Sequence, residues 1–410
     1  MSYLFRNLNL LDPRFEETRD GYEVLVEGGH FKEVSDRPIK SSTAQVIDCG
    51  GGTLMPGLID CHVHVYLSEV NLTMLEHVPV SLLAARAAPL MLAMLNRGFT
   101  TVRDTGGADW GIKEAVEKSY LAGPRLFISG RAIGPTGGHS DMRRRTDHHQ
   151  GCRCCDGLKF TMAIADGADN VRAVVREELR QGADAIKIMV SGGVASPYDP
   201  LDSRQFSIAE IAAAVDEATA FKRYVLAHAY TPEAITRAVS QGVRTIEHGN
   251  LIDPPAAQLL AKSGGYLVAN LVAYVVMKER AAEFGMNADK LEKNELVIKG
   301  GFESLDICRT AGVKVGFGSD LLGELQEEQS REFLLRREVM SPIEIIRSAT
   351  LIGAEIVRMQ GKLGIVEPGA IADLLVVDGD PLKNLGLLQD QGAHLSVIMQ
   401  QGRLHKHIPK

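Results

Sequence analysis

The sequence predicts an α/β protein: a (β/α)8 TIM barrel with a small β-sandwich domain formed by the two ends of the chain. Three observations lead there. From residue 58 onward, short apolar runs alternate with helical patterns, and eight such runs fit within about 300 residues, the size of a closed barrel. The segments 1–57 and 361–410 are strand-like instead. A chain of 410 residues with 45% hydrophobic content can bury one large core and a satellite without covalent staples. An open doubly wound sheet shares the alternation, but eight units favour closure.

The elements follow in order. YLFRNLNLL and YEVLVEGGHFKEV are β-formers split by polar turns, and Gly50–Gly52 with Pro56-Gly57 punctuate the exit from this region. The barrel strands are expected at 58–65, 100–106, 125–130, 185–192, 224–230, 245–250, 265–271 and 314–320. Between them, 81–98 and 170–182 carry apolar residues at helical spacing and end at a glycine. Segments 207–221 and 231–242 open on Ser207 and Thr231 with a glutamate close behind, a capping signature. ADLLVVDGDP and LSVIMQQGRLHK return to β character. The expected domains are thus 58–360 for the barrel and 1–57 with 361–410 for the sandwich.

Bulk properties exclude some classes. Net charge is −7, and Arg143-Arg144-Arg145 is the only basic cluster, beside acidic and histidine residues. A solvated loop explains it, and no nucleic-acid partner is expected. The first residues lack a signal-peptide pattern, and the longest apolar stretches fall short of a membrane span. A cytoplasmic protein with no membrane partner is expected. Cys152, Cys154 and Cys155 crowd GCRCCDG. A structural zinc would want a second cysteine pair, so a free-thiol loop is the expectation.

The chemistry is carried by polar residues at the ends of apolar runs. His62 and His64 in DCHVHV share one strand face, because side chains alternate with period two. Alone, the pair also reads as two partly buried polar residues at a strand end. His228 in VLAHAY, His248 in TIEHGN and Asp320 in GFGSD end three other strands, on the face where barrel active sites form. Imidazole and carboxylate are suitable donors for Zn²⁺ or a related ion. Lys187 in AIKIMVSG points into an apolar strand, where an unpaired ammonium is costly. A salt bridge to Asp104 or another acid, a Schiff-base nucleophile, and a CO2-derived carbamate bridging two metals are the readings open to it.

At these residues the chain resembles the amidohydrolase superfamily in its binuclear, carboxylated-lysine form. The resemblance runs from LMPGLIDCHVHV to LGIVEPGAIADLLVVDGDP. GGHSD, GADAIKIMVSGGVASPYDP, QFS and AHAYTPEAI further resemble a bacterial branch of Xaa-Pro dipeptidases (prolidases) and dipeptidases releasing C-terminal Arg or Lys.

The resemblance implies two divalent ions, Zn²⁺ foremost. His62, His64 and Asp320 would hold the more buried one and His228 and His248 the more exposed one. A carbamate on Lys187 and a hydroxide would bridge them. The hydroxide would attack the amide of an L-Xaa–L-Pro dipeptide, a related dipeptide or an N-acyl amino acid, with Asp320 as proton shuttle. His139 and Tyr230 would polarise the substrate, although loop packing and rim packing also explain them. Arg204 and Tyr198 are candidates for the substrate pocket, and 140–160 for a lid. A small dipeptide-like molecule and a second copy of the chain are the expected partners. The alternatives are a cyclic-amide hydrolase of the imidazolonepropionase or hydantoinase kind, a dipeptidase releasing C-terminal Arg or Lys, and a catalytically dead scaffold.

Overall fold

The computed structural model describes residues 1–75, 78–139, 141–143, 162–194, 199–283 and 288–409. Eight parallel strands form the barrel: β1 (Leu58–Val63), β2 (Phe99–Asp104), β3 (Arg125–Ile128), β4 (Ile186–Met189), β5 (Val225–Ala229), β6 (Thr245–His248), β7 (Tyr266–Ala269) and β8 (Lys314–Phe317). Each falls inside a run expected from the sequence or begins one residue before it.

Strands β1–β2–β3 and β4–β5–β6–β7–β8 are parallel ladders, with register shifts in β1–β2 between Leu58 and Ile59 and between Asp60 and Val63. The two junctions between these ladders shape the site. Between β3 and β4, the amides of Asp184 and Ala185 donate to Ile128 O. The chain then resumes as Ala132–Gly134, which pairs with β4 at Ile133 and Ile188. Between β8 and β1, the amides of Ser319 and Asp320 donate to His62 O at 3.3 and 2.9 Å. Ring closure therefore brings Asp320 against His62.

Alternation sorts the side chains. Ile186 and Ile188 of β4, Val225 and Ala227 of β5, and Ile246 of β6 face the helices in one buried cluster. Lys187, His228, Thr245 and Glu247 fall on the other face. The anticipated helices occupy Val80–Asn96, Ala168–Arg180, Ile208–Ala220 and Pro232–Ser240. Ser207 and Glu210 close a capping box, and Thr231 accepts from Ala234 N.

The ends of the chain pair in one eight-stranded sheet. They meet where Thr53–Pro56 runs antiparallel to Leu374–Val377. That last strand has two buried faces. Leu374 and Val376 pack with Phe5, Val24 and Val397, while Leu375 and Val377 pack with Leu58 and Phe99 of the barrel. No helix among the described residues is long and apolar enough to cross a membrane.

Candidate active site

All six expected ligands, together with His139 and Tyr230, line one cavity at the C-terminal ends of the strands. Its outer wall is apolar, with Leu67, Met142, Met162, Met277, Leu321 and Leu325. The backbone is bent for this purpose: His248 and Asp320 leave their strands at φ +73° and +52°. The left-handed region is disfavoured for side-chain-bearing residues and clusters at functional sites. Here it turns both side chains out of the strand plane toward the mouth. Gly318 allows the approach of β8, since a Cβ there would stand 2.9 Å from His62 Cβ.

The histidines are oriented from behind. His62 Nδ1 lies 2.8 Å from Glu247 Oε2, and His64 Nδ1 lies 2.9 Å from Gly106 O. Both partners are acceptors, so each Nδ1 carries a proton, and Nε2 is the atom left to face a cation. Those Nε2 atoms lie 3.2 and 3.1 Å from Asp320 Oδ1. His228 uses Nε2 toward Gly192 O at 3.0 Å. His248 Nδ1 lies 3.1 Å from Asn270 Oδ1 and 2.9 Å from the Tyr274 hydroxyl.

Ligand atoms of His62, His248 and Asp320 lie within 4.8 Å of one another. This grouping crosses the expected partition, which set His248 with the other metal. Four imidazoles, a carboxylate and a lysine form a donor set that fits divalent cations.

Electrostatics agree with this use. Burial works to raise Asp320, but His62, His64 and His248 hold it well below the usual carboxylate range. Burial pushes His228 and His248 well below the ordinary histidine value, which keeps them neutral and able to ligate. His139 is lowered by burial too. Its ring stacks on His228 with centroids 4.2 Å apart. Glycine at 193 makes room, because a Cβ there would lie 2.0 Å from His139 Cε1.

Lys187 is 2% exposed, and burial brings its ammonium down to about 8. No hydrogen bond or ion pair of Lys187 Nζ occurs among the described residues. The salt bridge to Asp104 that the sequence left open is not formed. Asp104 instead accepts from the amides of Val65, Gly106 and Ala108, at 2.7, 3.0 and 3.1 Å.

Arg204 stands apart from the cavity. Its side chain is 61% exposed and reaches Glu233 at 3.2 Å. Tyr198, the cysteine cluster and, apart from 141–143, the 140–160 segment lie outside the described residues.

Sequence reasoning missed several functional supports. Glu247, fully buried, also receives both bonds of Arg103 Nη2 at 2.8 Å. Burial raises the Glu247 carboxyl, but Arg103, His62 and Lys187 together hold it below its ordinary value. Asp60 accepts from His62 N, Ser319 and Gln329 beneath the site. Tyr274 joins Tyr230, hydroxyl to hydroxyl, at 2.7 Å. A signal existed for two of these. Glu247 and Arg103 are charges inside apolar barrel strands, the same anomaly that singled out Lys187.

A parallel barrel with a donor set that fits divalent cations at its C-terminal mouth points to a class of hydrolases. The chain belongs to the amidohydrolase family, whose model matches residues 53–404. It is a hydrolase acting on C–N bonds. It is similar to a crystal structure of a prolidase in complex with N-methylphosphonate-L-proline, at 49% identity, TM-score 0.97 and full coverage of both chains. A Xaa-Pro dipeptidase structure matches at 27% identity and TM-score 0.87, over 99% of this chain and 100% of the other. The ochratoxinase of Aspergillus niger is 28% identical over 86% of this chain and 75% of its own.

Proposed function

We propose that this chain is a dipeptidase hydrolysing L-Xaa–L-Pro bonds, or close variants, with two divalent cations, Zn²⁺ foremost. His62, His64, His228, His248, Asp320 and a carboxylated Lys187 would hold them. Lys187 carries the reading: an amine with no hydrogen bond or ion pair among the described residues, in one cavity with His62, His64, His228, His248 and Asp320. A cationic lysine would repel metals there. Its neutral amine can add to CO2, forming an N–C bond and releasing one proton, to give an anionic ligand.

Bound divalent ions supply Lewis acidity, lowering the pKa of water and polarising the amide carbonyl. The chain's own residues do the rest. Asp320, held ionised, accepts a proton from water and passes it to the leaving amine. Tyr230 donates from its hydroxyl to the carbonyl oxygen as charge develops there. His139, stacked on His228, contacts the same end of the substrate. The apolar wall suits the prolyl ring and an apolar neighbour, and excludes bulk water from the scissile bond. The likeness to a prolidase holding a prolyl phosphonate supports this substrate class. The terminal sheet, as a β-sandwich packed on the barrel through Leu375 and Val377, belongs to the same reading.

The test is a panel of dipeptides, N-acyl amino acids and cyclic amides on metal-reconstituted protein. Turnover concentrated on Xaa-Pro supports the proposal; turnover of cyclic amides alone overturns it.

A further inference from the structure

Tyr274 has no role in the reading above, yet its hydroxyl touches two parts of the site. It lies 2.9 Å from His248 Nδ1 and 2.7 Å from the Tyr230 hydroxyl. Its place is fixed from both ends. It sits on the helix Leu271–Glu279, its carbonyl accepts from Asn294 Nδ2 at 2.9 Å, and its side chain is buried with Val194, Leu201, Tyr230 and Val297.

The protons along this chain can be counted. With Asn270 Oδ1 facing it at 3.1 Å, and with Nε2 left to face a cation, His248 is assigned its proton on Nδ1. His248 Nδ1–H then donates toward Tyr274 Oη as well, so Tyr274 cannot donate back. Its single hydroxyl proton goes to the other neighbour, Tyr230 Oη. Tyr230 thereby receives one hydrogen bond, and its own proton is left to point into the cavity.

We propose that Tyr274 is a positioning residue that fixes the direction of the Tyr230 hydroxyl, so that Tyr230 donates to the substrate carbonyl rather than accepting from it. The chain His248 → Tyr274 → Tyr230 also ties the hydroxyl to a metal-ligating histidine, so that site assembly and the donor are set together. The inference rests on the role given to Tyr230.

The test compares wild type, Tyr274→Phe, Tyr230→Phe and the double variant, each loaded with the same metal. The readouts are metal content, Tm, kcat and KM for an Xaa-Pro dipeptide, and affinity for a phosphonate analogue of an N-acyl-L-proline. Tyr274→Phe should keep its metal and its KM within about twofold. It should lose about tenfold in kcat and in phosphonate affinity, the worth of one hydrogen bond. In the Tyr230→Phe background it should cost nothing further.

An equal loss in both backgrounds overturns the inference, as does unchanged kcat in Tyr274→Phe. A fall in metal content matching the loss of kcat also overturns it, because Tyr274 would then only support His248. If Tyr230→Phe keeps full activity, the role of Tyr230 itself is wrong, an outcome distinct from the others.

Discussion

Glu247 Oε2 meets His62 Nδ1 at 2.8 Å across the barrel, with both side chains 1% exposed or less. The same carboxylate is bound by Arg103 from β2. A buried charge pair thus sets, from beneath, the tautomer of a histidine proposed to ligate a metal. Glu247→Gln should lower metal affinity about 10–100-fold, the usual effect of removing a partner behind a ligand. It should also destabilise the fold by about 3–5 kcal/mol, because Arg103 is left as an uncompensated buried cation. Metal titration and thermal unfolding check both.

Asp320→Asn separates ligation from proton transfer. The side chain still offers an oxygen, so much of the metal should remain, while kcat should fall by about 10²–10⁴-fold. Near-normal kcat in metal-replete variant would remove Asp320 from the shuttle role.

Tyr230→Phe should lower kcat by about 10²-fold, in the range of a lost oxyanion donor, with metal content unchanged. His139→Ala should weaken the same step, and Tm distinguishes this from loss of packing on His228. Full activity in either variant would return that residue to a packing role.

Lys187 makes a pH prediction with a definite sign. Burial takes its ammonium from 10.5 to about 8 in the folded metal-free protein. The folded state then binds a proton less tightly than the unfolded state does. Below pH 8 the charged lysine costs the fold about 3 kcal/mol, and the cost fades as pH rises from 8 to 10.5. Metal-free Lys187→Met should therefore be more stable than metal-free wild type below pH 8, with the difference closing toward pH 10. The neutral amine is also the form that adds CO2. At a fixed concentration of dissolved CO2, reactivation of metal-free protein by metal should be faster at pH 9 than at pH 6.5. Equal rates would count against the carbamate.

The sequence displayed the candidate ligands because each is a polar residue at or near the end of an apolar run. It displayed the strands because β-formers alternate with capped helices such as the one opened by Ser207 and Glu210. It hid what depends on distant pairing. Arg103 and Glu247 are 144 residues apart, and nothing local says that they meet. Tyr274 was hidden for another reason. Its helix is apolar on most sides, with Leu271, Val272, Ala273, Tyr274 and Val276 all buried. No periodic face marks one of them as reaching the cavity. The irregular step from β3 to Ala132–Gly134 likewise has no sequence pattern of its own.

The central claim is that Lys187 makes this a two-metal site. The most direct measurement is the metal-to-protein ratio after reconstitution with Zn²⁺ and bicarbonate, in wild type and in Lys187→Met. The account predicts about two equivalents in wild type and fewer than two in the variant. One equivalent in wild type, or two in both, would contradict it.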